Sequence, residues 1–71
     1  MEALDHLFSA HQLAEYLDVP VSTLYHWRQQ REGPPAFRVG KHLRYRASDV
    51  QEWIRLQLEE SATSGAIGRV L

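Results

Sequence analysis

The sequence predicts a mainly α fold with one small β-hairpin: two short helices, a two-stranded hairpin and a closing helix. Three observations carry this. Between Ser9 and Gln29, two stretches of helical period are split by Asp18-Val19-Pro20. From Ala36 to Tyr45, apolar and polar residues alternate on both sides of Gly40-Lys41. From Val50 onward, apolar residues recur with helical spacing at Val50, Trp53, Ile54 and Leu58.

Met1 to Leu7 shows no period and reads as a frayed end or a short lead-in, with His6 solvated. Ser9 and Gln12 have capping-box spacing, and Phe8 and Leu13 have that of a hydrophobic staple, so a helix should run from about Ala10 to Leu17. Leu13, Ala14 and Leu17 form its buried stripe, and His11 points away from it. Asp18-Val19 makes the turn. Pro20 suits the start of a second helix, where an N–H would be unpaired in any case. That helix should reach about Glu32, with Gly33 as a left-handed cap and Pro34-Pro35 forbidding continuation.

On the second helix Thr23, Leu24 and Trp27 share one side, while Ser22, Tyr25, His26 and Gln29 share the other. Val21 and Arg28 flank the exposed face. Such a face is either simply solvated or suited to base edges and sugars.

In the hairpin, glycine first in a two-residue loop suits a type II′ turn. The alternation is expected to put Phe37, Val39, Leu43 and Tyr45 on the core and Arg38, Arg44 and Arg46 outward. Lys41 and His42 fall at the tip. A two-stranded hairpin is marginal alone and must lie against the helices. Its cations either guard an edge or contact phosphate. The last helix should span about Ala47 to Glu60, opened by Ser48 and Asp49, with Tyr45 and Val50 spaced as a staple. Leu56 lies off its stripe. A domain over residues 1–60 and a flexible tail over 61–71 follow, with Ala66-Ile67 and Val70-Leu71 as a docking stretch or a loose end.

Charge is unevenly distributed. The formal net charge is −1, yet between Pro20 and Arg46 six cations face one acid, Glu32. The remainder holds two cations, Arg55 and Arg69, and eight acids. A chain so polarised can turn a positive face to phosphates while the other stays acidic. Seventy-one residues support one small domain with a marginal core. No charged-then-apolar leader opens the chain and no apolar run approaches the roughly 20 residues of a membrane span. A cytoplasmic protein is expected.

Leu13-Ala14-Glu15-Tyr16-Leu17, Val21-Ser22-Thr23-Leu24-Tyr25-His26-Trp27, Gly33 to Lys41, Leu43-Arg44-Tyr45-Arg46 and Asp49-Val50-Gln51-Glu52-Trp53 occur in that order. Together they resemble the excisionase-like winged helix-turn-helix family, which is related to the DNA-binding domains of MerR-type regulators. The resemblance implies a second helix in the major groove and a wing reaching an adjacent minor groove. Carried over by position, Ser22, Tyr25 and His26 would face bases or backbone, Arg28 would hold a phosphate, and Lys41, His42 and Arg44 would act from the wing. One departure is Pro20, which stands where the family often has a serine or threonine cap.

The resemblance also implies partners: double-stranded DNA, an integrase or other recombinase, and copies of the chain side by side. Family members of this size resemble recombination directionality factors, which bend attachment-site DNA and favour excision. The alternative on the same fold is a small MerR-like regulator at a promoter operator. A third reading, from another class, is a protein-interaction module using the same helix face.

The residues that carry the nucleic-acid reading are therefore Val21, Ser22, Tyr25, His26, Arg28, Gln29, Arg38, Lys41, His42 and Arg44. No metal or other cofactor is expected. His6, His11, His26 and His42 lack paired spacing on one helix face, and no cysteine supports them. Ser22 or Ser48 as a nucleophile would need a positioned base and an oxyanion pocket, which a domain this small has little room for. No enzyme activity is expected.

Overall fold

The computed structural model describes residues 4–63. In chain order they form β1 (Leu7–Ser9), α1 (Ala10–Leu17), α2 (Val21–Gln29), β2 (Phe37–Val39), β3 (His42–Arg46) and α3 (Ala47–Thr63). Three helices and a small antiparallel sheet make a mostly helical winged helix-turn-helix. The expected docking stretch in the tail lies outside the described residues.

α1 opens with the expected capping box. Ser9 Oγ accepts from the Gln12 N–H at 3.0 Å, and Gln12 Oε1 accepts from the Ser9 N–H at 2.9 Å. Its end is closed by Asp18, held in the left-handed region at φ 60°. There Asp18 N–H donates to Glu15 O and Val19 N–H donates to Ala14 O. This paired closure satisfies carbonyls that the last turn would otherwise strand.

α2 starts one residue later than expected, with extended Pro20 as its cap and no side-chain hydrogen bond there. It also stops earlier, at Gln29 rather than about Glu32. The left-handed closing residue is Arg31, at φ 61°, and not Gly33. Arg31 N–H donates to Arg28 O and Glu32 N–H donates to Trp27 O, the same paired closure as in α1. Gly33 is left-handed too, at φ 78°, but serves a packing role against Trp27.

The lead-in is not shapeless. Residues 7–9 form a third strand, so the sheet order is β1-β3-β2 with β3 in the centre. Phe8 pairs with Tyr45 and Ser9 with Arg44. His6 is exposed, as expected, but its carbonyl accepts from Ala47 N–H and its ring meets Phe8 edge-on. Asp5 reaches further: it accepts from the Ser48 hydroxyl at 2.7 Å and from the Ser48 N–H at 3.3 Å. The first turn of α3 is thus fastened by a residue distant in sequence.

The hairpin has the expected two-residue loop, with positive φ at Gly40 (66°) and not at Lys41, as a type II′ turn requires. Its faces differ from expectation. Val39 pairs with His42 and Phe37 with Arg44, and directly paired residues share a face. Phe37 and Val39 therefore stand on the outer face with His42, Arg44 and Arg46, and are 40% and 50% exposed. Arg38 pairs with Leu43 and shares the face of buried Tyr45. A two-residue loop cannot place Val39 and Leu43 on one side, because Leu43 is one residue, an odd step, from His42, which faces Val39.

The core is Ala10, Leu13, Ala14, Leu24, Tyr45 and Val50, with Phe8, Leu17, Val19, Trp27 and Ile54 among those packed around it. Tyr45 and Val50 bury together, as a staple across the start of α3 would. Trp27 and Trp53, with ring centroids 5.4 Å apart, tie α2 to α3. Leu58 does not close the core: it is 66% exposed, because α3 runs past the body of the domain after Ile54. The helix also continues beyond Glu60 to Thr63.

Candidate nucleic-acid interface

The start of α1, the exposed side of α2 and the wing enclose one open cleft. Tyr25, Arg28 and Gln29 line it from α2, and Arg38, Lys41, His42 and Arg44 line it from the wing. Tyr25 and Gln29 turn outward because Leu24, next to Tyr25, is drawn into the core at 1% exposure, while Arg28, one turn after Leu24, stands exposed at the edge of the buried side. The wing is held against the helices by Tyr45, which shares β3 with His42 and Arg44. Burial pushes the Tyr45 phenol above its ordinary range, which keeps it neutral beside Arg28.

The cleft is electrostatically one-sided. Four cations line it and no carboxylate does. Among the described residues, no acid lies within ion-pair distance of Arg28, Arg38, Lys41 or Arg44. Arg44 is half-buried and donates from Nη1 to the Leu43 carbonyl at 2.7 Å, which fixes its guanidinium at the cleft wall. Fixed cations with low-dielectric walls and no competing acid concentrate positive potential where a phosphate would sit.

The remaining cations of the basic segment go elsewhere. Arg46, expected to point freely outward, makes a two-pronged ion pair with Asp49 at 2.8 and 2.9 Å. Asp49 holds the Arg46 guanidinium still more firmly in its charged form. Arg31 sits at the far end of α2, outside the cleft. Outside that segment, Arg55 is bound by Glu52 and Glu59 on α3.

Of the other site residues read from the sequence, Ser22 and His26 are exposed on α2 but do not line the cleft. Val21 is half-buried against the core and offers only part of its side chain. Sequence reasoning missed His11 and Ser9, which line the cleft from the start of α1. The pairing of Ser9 with Arg44 puts them there, and no local pattern announces a pairing between residues so far apart in the chain.

Among the described residues, no group of three or more His, Asp or Glu is placed to hold a metal ion. No helix among them is long and apolar enough to cross a membrane.

A helix-turn-helix with a wing, sharing a cationic cleft, defines a DNA-binding domain class. The family comparison agrees: the helix-turn-helix domain matches residues 7–57. The chain belongs to that family of small DNA-binding domains. No curated protein and no solved structure matches it significantly.

Proposed function

We propose that this chain is a sequence-specific duplex-DNA-binding protein acting as an excision factor beside a recombinase. The DNA-reading part is supported by one observation above others: α2 and the wing turn Tyr25, Arg28, Lys41 and Arg44 into one acid-free cleft. Ser22, Tyr25, His26 and Gln29 carry the donors, acceptors and rings suited to base edges and sugars. The exposed part of Val21 suits a thymine methyl. Arg28, Arg38, Lys41, His42 and Arg44 hold phosphates and set register and salt dependence. No catalytic step belongs to this account.

The excision reading is supported by the ordered likeness of Leu13 to Trp53 to the excisionase-like family. In that reading several copies lie side by side near an attachment site, bend it, and bias an integrase toward excision. Footprinting the purified protein on DNA flanking its own gene tests it. Tandem protection beside a recombinase gene and its crossover site supports the excision role. Protection confined to a promoter makes the chain a small transcriptional regulator instead.

A further inference from the structure

Building on the DNA-binding reading, we propose that His11 and His42 are proton-dependent phosphate contacts, so that duplex binding takes up protons. The two imidazoles come from distant parts of the chain, the first turn of α1 and the start of β3. Both are exposed and both line the cleft. One turn along α1, Glu15 is spaced i, i+4 from His11 but does not line the cleft. The other charged or titratable groups lining the cleft are Tyr25 and Arg28 from α2, Arg38 from β2, Lys41 from the turn and Arg44 from β3. No carboxylate is among them.

The four cations are charged at every physiological pH and fix the baseline affinity. Tyrosine ionises far higher, near pH 10. Histidine, among the side-chain types lining this cleft, is the one whose charge ordinarily changes within the physiological range. A phosphodiester seated there brings a negative charge toward both rings, and a nearby anion favours the imidazolium. Linkage then runs both ways: bound phosphate favours the proton, and the bound proton favours phosphate by the same factor. His26 and His6 do not line the cleft.

The test uses the full chain and a rhodamine-labelled mixed-sequence duplex, since phosphate contacts do not depend on sequence. Fluorescence anisotropy gives Kd at fixed low salt from about pH 8 to about pH 5.5, bracketing the imidazole range. The wild-type chain is expected to tighten about tenfold or more, one pKa unit of linkage being a factor of ten. His11→Gln/His42→Gln, whatever its affinity at the high end, is expected to tighten less than about twofold on acidification. His6→Gln should keep the wild-type slope. A flat wild-type profile, an unaltered slope in the double variant, or a slope abolished by His26→Gln alone overturns the proposal while leaving DNA binding intact. Absence of binding to any duplex at every pH overturns the DNA-binding reading as well.

Discussion

A Cβ added at Gly33 would stand 2.8 Å from Cε3 of the Trp27 ring. The glycine's φ of 78° is also one that other residues rarely adopt. Trp27 has little freedom to withdraw, because Trp53 lies against it on α3. Gly33→Ala should therefore destabilise the domain by about 2 kcal/mol, from combined backbone strain and overpacking. Urea unfolding followed by tryptophan fluorescence measures it. A change below about 0.5 kcal/mol, the range of ordinary surface substitutions, would mean the close approach is not tight.

Asp5 gives stability a pH dependence. The Ser48 hydroxyl, its main partner, holds the Asp5 carboxyl below its ordinary 3.8. A depressed folded-state value means that the unfolded chain binds the proton more readily. The contribution is thus complete above about pH 4 to 5 and is lost as pH falls through the lowered value. Melting temperatures of wild type and Asp5→Ala should differ most near neutrality and converge on acidification. A gap that widens in acid would reverse the sign and refute the assignment.

The hairpin register has its own test. Val39 is on the outer face and Leu24 is in the core. Val39→Thr should change stability by less than about 0.5 kcal/mol, as surface changes usually do. Leu24→Ala should cost about 2–5 kcal/mol, or unfold so small a domain outright. Chemical denaturation of both variants decides the matter. A large loss at Val39 would restore the alternation that puts it inside.

Base reading and phosphate holding separate by mutation. His26→Ala should blur preference among related DNA sites with little change in the salt slope. Lys41→Ala should weaken all duplexes evenly and reduce the slope of log K against log salt by about one. Competition binding at several salt concentrations provides both numbers. Equal losses on random and preferred DNA for both variants would remove the base-reading role of His26.

Local features were legible in the sequence. The Ser9–Gln12 box, the Gly40-Lys41 turn and the outward side of α2 each depend on neighbours a few residues apart, and each formed. Long-range pairing was not legible. β1 is three residues long and exists because β3 lies beside it, so no period marks it. Asp5 fastens Ser48 and Ser9 meets Arg44 for the same reason. The faces of Phe37 and Val39 are set by loop length and not by alternation alone: with a two-residue loop, the flanking residues must face each other. The cleft cations were visible as a charge run, but only the fold separates Arg28 and Lys41, which share it, from Arg31 and Arg46, which do not.

Because the chain has no cysteine, one introduced at Gln29 and another, in a separate variant, at Lys41 can each carry a tethered DNA-cleaving iron chelate. If α2 and the wing grip one duplex, both conjugates will cut the same site, in neighbouring grooves within about one helical turn of each other. Cutting from Gln29 without cutting from Lys41, or the reverse, would contradict a shared DNA surface.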